Sequence, residues 1–199
     1  MHKYMLVIGN DKLGRRLLAR LGDPVEQLIV VDQSTDFQRV WKLIRRGSLQ
    51  LSWVIQMAWA EWRRSDTPVG KRPAIFNNDD LLRLIQVEQL RRIYLFRAGL
   101  IVNRKVLESG VEVLNVHCAR LPAYGGLGSI ARALAAGAYE QEATLHRVTT
   151  RIDDGEVLAT EPYQLHKALS YGENEERAYE AGIKLLCKEL ATAAEQKEN

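Results

Sequence analysis

The chain has 199 residues, 46% of them hydrophobic, and a formal net charge of +3, so it can bury a core as one domain of about 150–200 residues. Its 28 Lys and Arg are interleaved with 25 Asp and Glu, which argues against nucleic acid as a partner. Two cysteines, Cys118 and Cys187, fit neither a disulfide framework nor a zinc spacing. The opening apolar run is too short for a signal peptide, and no run nears the ~20 residues of a spanning helix, so we expect one cytoplasmic domain over residues 1–199 with reduced thiols and no integral membrane segment.

In chain order, Tyr4–Ile8 reads as a buried strand, Gly9–Asp11 as a turn and Lys12–Leu21 as a helix, with Leu13, Leu17, Leu18 and Leu21 at helical spacing. Leu28–Val31 is a second strand ending at Asp32, and this strand–turn–helix–strand opening begins a parallel α/β sheet. Arg39–Arg46 and Leu49–Arg64 are expected helices. The second carries Trp53, Met57, Trp59 and Trp62 between Arg45-Arg46 and Arg63-Arg64. Such a helix can lie on a membrane surface, but the spacing favours a core or oligomer-interface helix, and a homodimer is one expected arrangement.

Thr67–Pro73 is the best linker candidate. Asn78–Val87 should be a helix capped by Asn77 or Asn78, Arg92–Phe96 and Glu112–Val116 strands, and Arg104–Ser109 a helix ended by Gly110. Further on we expect a helix at Ser129–Ala136, a strand at Ala143–Thr149, a strand at Glu156–Gln164 interrupted by Pro162, and a long helix at Glu173–Glu195 with residues 195–199 frayed.

Gly9-Asn10-Asp11-Lys12-Leu13-Gly14 invites a nucleotide-loop reading. A dinucleotide fingerprint needs glycine where Asp11 stands, and a P-loop needs Lys-Ser/Thr where Arg15-Arg16 stand. What survives is a strand feeding a helix N-terminus, which either contacts a ligand, with Asn10 as the candidate, or is a structural tight turn.

The chemistry-bearing stretch lies later. Asn115 and His117 are two apart, so an extended strand points both to one face. Two donors converging on a developing oxyanion suit acyl transfer, where one such donor contributes about 10²–10³ in rate. Asp153-Asp154 precede Gly155 in a turn, where paired acids are ordinarily Asx-turn or cap chemistry. Tyr124-Gly125-Gly126-Leu127-Gly128 is a glycine-dense loop that permits close backbone approach to a ligand. His117, Cys118, His146, His166 and Cys187 show no zinc spacing, so no metal is expected. His146 reads as a pocket-wall or strand residue near the site.

Together, Leu114-Asn115-Val116-His117, Leu121-Pro122-Ala123-Tyr124-Gly125-Gly126 and Asp153-Asp154-Gly155-Glu156-Val157-Leu158 resemble the formyltransferases that use 10-formyltetrahydrofolate. Ala98-Gly99-Leu100-Ile101-Val102 is similar to the family segment that faces the folate pterin. The resemblance covers about residues 93–160. It implies a Rossmann-like, three-layer, mostly parallel α/β sheet and a catalytic trio of Asn115, His117 and Asp153. It also implies a folate site at Gly99, Leu100, Ile101, Val102, Ile152 and Asp153, and acceptor contacts at Asn10, Tyr124, Gly125 and Gly126.

In that chemistry an amine attacks the formyl carbon, Asn115 and His117 stabilise the oxyanion, and Asp153 keeps His117 charged and helps move protons through a bound water. Departures are Cys118-Ala119-Arg120, where the family usually has Pro-Ser-Leu, and Asn103, at a position commonly proline.

The β1–α1 turn differs from the phosphate loop of the glycinamide ribonucleotide branch, and no residues remain for the C-terminal β-rich domain of the methionyl-tRNA branch. The turn and the Arg/Trp-rich helices look more like the sugar-nucleotide N-formyltransferases. The expectation is therefore formyl transfer from 10-formyltetrahydrofolate to a small primary amine, foremost a nucleotide-linked amino sugar. Alternatives are glycinamide ribonucleotide or another small amine as acceptor, formyltetrahydrofolate hydrolysis, whose branch carries a regulatory domain ahead of this core, or a non-catalytic folate-binding module.

Overall fold

Tyr4–Gly9 (β1) is buried at every position in the computed structural model, as a strand covered on both faces must be. The structure describes residues 4–21, 27–34, 37–68 and 70–195. After β1 come α1 (Lys12–Leu21), β2 (Gln27–Asp32), α2 (Phe37–Arg45), α3 (Leu51–Arg63), β3 (Ala74–Ile75), α4 (Asn78–Glu88), β4 (Arg92–Phe96) and α5 (Arg104–Leu107). The second half holds β5 (Glu112–His117), α6 (Ser129–Ala135), β6 (Glu140–Arg147), β7 (Val157–Gln164) and α7 (Tyr171–Glu195). The strands form one sheet in the order β3-β2-β1-β4-β5-β6-β7. Pairing is parallel from β3 through β5 and antiparallel for β5–β6 and β6–β7.

The period of two divides the core into two layers. Tyr4, Leu6, Ile8, Tyr94, Phe96, Leu114 and Val116 face the cluster that includes Leu17 of α1 and Leu186 of α7. Met5, Val7, Ile93, Leu95 and Val113 face the other cluster, with Leu81 and Ile85 of α4 and Val106 of α5. Helices on both faces of a mostly parallel sheet make the expected Rossmann-like, three-layer α/β fold.

Several boundaries differ from the sequence reading. β6 begins at Glu140 and ends at Arg147 rather than spanning 143–149, because it pairs on both sides and the β7 register extends it back to Glu140. Pro162 does not interrupt β7: the strand is at the sheet edge, where proline's missing N–H costs no ladder bond. α5 stops at Leu107, and the two-residue β3 lacks the length to show a periodicity.

Asn77 is the cap of α4, accepting from the N–H groups of Asp79 and Asp80 at 2.9 and 3.0 Å. In the 67–73 linker, residue 69 lies outside the described residues, while the Pro73 carbonyl accepts from Val31 N–H at 2.9 Å. Residues 196–199 of the expected frayed end are also outside them. No helix among the described residues is long and apolar enough to cross a membrane.

Candidate active site

β5 presents Asn115 and His117 on one face, as their spacing requires. The antiparallel register sets Asn115 opposite His146 of β6, and Asn115 Nδ2 lies 3.0 Å from His146 Nε2. The chain then loops back to β7 through Gly155, where a Cβ would fall 1.7 Å from the Arg147 carbonyl oxygen, so only glycine lets the loop return along β6. This loop carries Asp153 at φ 50°, the left-handed region that Asp tolerates better than most residues and that recurs at functional sites.

Asp153 is fixed from several sides. Its Oδ2 accepts from Gly126 N–H at 2.7 Å and stands 3.5 Å from His117 Nδ1, while Oδ1 is 3.4 Å from His146 Nε2. His117 Nε2 is 2.8 Å from the Tyr124 carbonyl. A carbonyl only accepts, so Nε2 carries a proton and Nδ1 is the nitrogen turned to the carboxylate.

The electrostatics correct one expectation. Burial pushes the His117 pKa below the usual imidazole value, and Asp153 and the Tyr124 carbonyl oppose that without reversing it. His117 therefore rests neutral at neutral pH instead of being held charged. For Asp153, burial raises the pKa, but the hydrogen bond with His146, the charge of His117 and the Gly126 N–H outweigh it and hold the carboxyl at about 2. The site at rest is a carboxylate beside a neutral imidazole.

These groups line a cavity of about 260 Å³. Gly99, Leu100, Ile101 and Val102 line it from the loop after β4, and Ile152 and Asp153 from the loop after β6. The first loop is anchored by Asp32, which is buried and accepts from Leu100 N–H at 2.8 Å and Ser34 N–H at 2.8 Å. Gly126 also lines the cavity, and Gly125 borders an adjoining groove with Ile152 and Asp153. Tyr124 is outside the residues lining these two cavities: its side chain packs against the core and only its carbonyl meets the site, at His117 Nε2. Asn10 is exposed and lies outside the residues lining these cavities.

Sequence reasoning gave His146 only a wall position, whereas it joins Asn115 to Asp153. The signal was the β5–β6 register, which the chain alone does not display. It also missed Arg132, whose guanidinium donates to the Gly125 carbonyl and whose charge helps lower the His117 pKa.

The departures have local reasons. Asn103 caps α5, accepting from Val106 N–H at 3.1 Å. Cys118 and Ala119 are buried, and their carbonyls accept from Tyr163 Oη at 2.8 Å and Thr144 Oγ1 at 3.0 Å. Burial raises the Cys118 thiol to about 12, which keeps it unreactive.

The β1–α1 turn is spent internally. Asp11 Oδ1 accepts from Gly14 N–H at 2.8 Å, Glu61 Oε1 accepts from Lys12 N–H at 2.8 Å, and Asp11 Oδ2 pairs with Arg97. Two carboxylates of the chain thus fill the helix N-terminus. Among the described residues no group of three or more His, Cys, Asp or Glu could hold a metal ion.

A mostly parallel sheet with helices on both faces, and a polar cluster lining a cavity beside it, define a Rossmann-like α/β protein. The family model described as formyl transferase matches residues 71–190, and the chain belongs to the formyl transferase family. The methionyl-tRNA formyltransferase of Rickettsia rickettsii (strain Iowa) is 28% identical over 120 residues, which are 60% of this chain and 40% of that protein. The chain thus matches about two fifths of the length of such curated relatives.

Among solved structures, a sugar N-formyltransferase from a Shewanella species superposes with a TM-score of 0.63 at 16% identity, covering 95% of this chain and 68% of that one. Glycinamide ribonucleotide transformylase 1 of Geobacillus kaustophilus gives 0.62 at 20%, covering 93% and 95%. At these identities the likeness is one of fold.

Proposed function

We propose that the chain transfers the formyl group of 10-formyltetrahydrofolate to a primary amine of a small acceptor, foremost a nucleotide-linked amino sugar. The observation that carries this reading is that Asn115, His117 and Asp153 line one cavity, where burial shifts the His117 pKa down and the Asp153 carboxyl is held at about 2.

The folate pterin lies along Gly99–Val102 with Ile152 opposite, and the formyl carbon on the folate's N10 reaches Asn115 and His117. The acceptor nitrogen attacks that carbon, a C–N bond forms, and the carbonyl π electrons move to oxygen, where the Asn115 amide N–H donates to the oxyanion. His117 Nδ1 takes the proton released by the amine. The resulting imidazolium is held between the Tyr124 carbonyl and the Asp153 carboxylate and places positive charge beside the oxyanion. As the carbonyl re-forms, the bond to the folate nitrogen breaks and that nitrogen receives the proton. The products are a formamide and tetrahydrofolate.

Glycinamide ribonucleotide is the less favoured acceptor, because Asp11 and Glu61 already occupy N–H groups at the α1 N-terminus that a phosphate would need. The test is a spectroscopic folate assay with nucleotide-linked amino sugars, glycinamide ribonucleotide and no amine. Amine-dependent loss of the formyl group supports the reading and names the acceptor. Loss without amine would assign a hydrolase, and folate binding without turnover on any amine would assign a binding module.

A further inference from the structure

The helix α3 was expected to be covered, and one of its faces is not. Leu51, Ile55, Trp59 and Trp62 are 55%, 60%, 57% and 70% exposed. At about 100° per residue these four positions fall within about 80° of arc and run about 17 Å along the axis. The opposite side packs on α7, where Ala60 meets Gly172. The rings of Trp59 and Trp62 stand 5.0 Å apart in the open stripe. Trp41 of α2 is a further exposed tryptophan, at 60%. Folded chains that work alone in water seldom expose so continuous an apolar strip.

The charge around the stripe selects its occupant. From Phe37 to Ala60 the sequence contains no Asp or Glu, but it contains Arg39, Lys42, Arg45 and Arg46. No ion pair between described residues involves Lys42, Arg45 or Arg46. Elsewhere the basic residues are largely matched, as in Arg15–Asp66, Arg92–Glu112 and Arg147–Glu156. Bringing two copies together through this face would set Lys42, Arg45 and Arg46 of each against the other, and the carboxylate within the stripe's span, Glu61, is already engaged by Lys12 N–H and Arg64, so like-charge repulsion opposes that arrangement. An apolar, tryptophan-bearing helix face with unmatched basic neighbours instead complements the headgroup layer of an anionic bilayer, where tryptophan rings partition to the interface and Lys and Arg meet lipid phosphates.

We infer that α2 and α3 form a docking surface for anionic lipid membranes, on which the protein lies without inserting a spanning segment. Arg39 of α2 and Met57 of α3 also line the catalytic cavity, so docking through these helices brings that cavity close to the bilayer. The inference does not depend on the formyl-transfer reading, and its readout is vesicle binding rather than turnover.

The experiment is co-sedimentation of the full chain with vesicles of phosphatidylcholine alone and of phosphatidylcholine with phosphatidylglycerol, at low and high salt. Sedimentation velocity without vesicles runs in parallel. The expected result is binding to the phosphatidylglycerol vesicles, weakened by salt and nearly absent on phosphatidylcholine alone. Arg45→Gln with Arg46→Gln lowers that binding about 25-fold, at about fivefold per charge near an anionic surface. Trp59→Ser with Trp62→Ser lowers it at least about tenfold. Circular dichroism confirms that both exposed double variants keep the fold. Equal sedimentation with and without phosphatidylglycerol, or none with either, overturns the inference. A concentration-dependent dimer that Trp59→Ser with Trp62→Ser abolishes overturns it too, and assigns the face to a second copy.

Discussion

The β1–α1 turn and the β5–β6 end of the sheet are both polar clusters, and they differ in that the residues of the second, Asn115, His117, His146 and Asp153, line one cavity together. At the turn every strong charge is answered from within. Asp11 meets Gly14 N–H and Arg97, Lys12 Nζ donates to the carbonyls of Trp62 and Arg64 at 2.9 and 2.7 Å, and Arg64 joins Glu61, Glu175 and Glu176. The Arg97 guanidinium also lies 4.2 Å from the centre of the Tyr179 ring, a cation–π contact that holds it in place. At the other end, Asn115, His117, His146 and Asp153 contact one another and also line a cavity. Both clusters are held by partners from their own chain, and what sets the second apart is the cavity that its residues line.

The largest effect that would break this comparison is on rate. Under the proposed mechanism, His117→Ala removes the proton acceptor and Asp153→Asn removes the charge that steadies the imidazolium. Each is expected to lower formyl transfer by about 10²–10⁴-fold with little change in the urea midpoint. A variant that loses folding instead of turnover would put these residues in the structural class with Arg64.

Arg64 sharpens the other side. Its side chain is 6% exposed and that of its partner Glu175 is 4% exposed, so Arg64→Met strands a buried carboxylate. Breaking one side of a buried pair costs about 3–5 kcal/mol, readable as a fall in unfolding free energy from urea titration. A loss under about 1 kcal/mol would mean that the network is solvated and structurally idle.

The two regions also differ in how far the sequence revealed them. The central strands were legible because β1 and β4 are continuous apolar runs, and Asn115 and His117 because a period of two needs no partner to be read. His146 was not, since its role depends on which strand lies beside β5 and in what register. The resting charge of His117 was misread for a related reason: a carboxylate nearby is visible in sequence, but the burial that outweighs it is a property of the assembled site. The fate of Asp11 was likewise hidden, because its partner Arg97 lies 86 residues away. The exposure of Trp59 and Trp62 is the converse case, where an apolar spacing that normally marks a buried face is left open.

A smaller effect tests whether the filled turn is truly closed. Asp11→Ala removes the cap on α1, a loss of about 1 kcal/mol, and frees Gly14 N–H and Arg97. Inorganic phosphate should then raise the melting temperature of this variant and leave the wild type unmoved, since a bare helix N-terminus attracts anions. Equal stabilisation of both proteins would show that the internal carboxylates do not block the site.

The smallest expected effect is on pH dependence, and its sign follows from the two shifted groups. The folded pKa of His117 lies below the ordinary imidazole value of 6.5, so as pH falls the unfolded chain takes up the proton first. Its stability contribution is full above about pH 6.5 and is lost as pH falls toward the folded value. Asp153 goes from 3.8 to about 2 on folding, so its contribution is full above 3.8 and is lost only as pH falls toward 2. The acid loss of stability therefore comes in two windows, and His117→Ala should flatten the upper one and also shrink the lower, because the charge of His117 is one of the causes that hold the Asp153 pKa down. The rate should fall with protonation of His117 along an acid limb that begins below pH 6.5. In Asp153→Asn that limb should move to still lower pH, because the carboxylate is the main group raising the imidazole pKa against burial. Urea titrations at several acid pH values and a pH–rate profile measure both. An acid limb above pH 6.5 would mean that His117 is charged at rest and acts as a donor from the start.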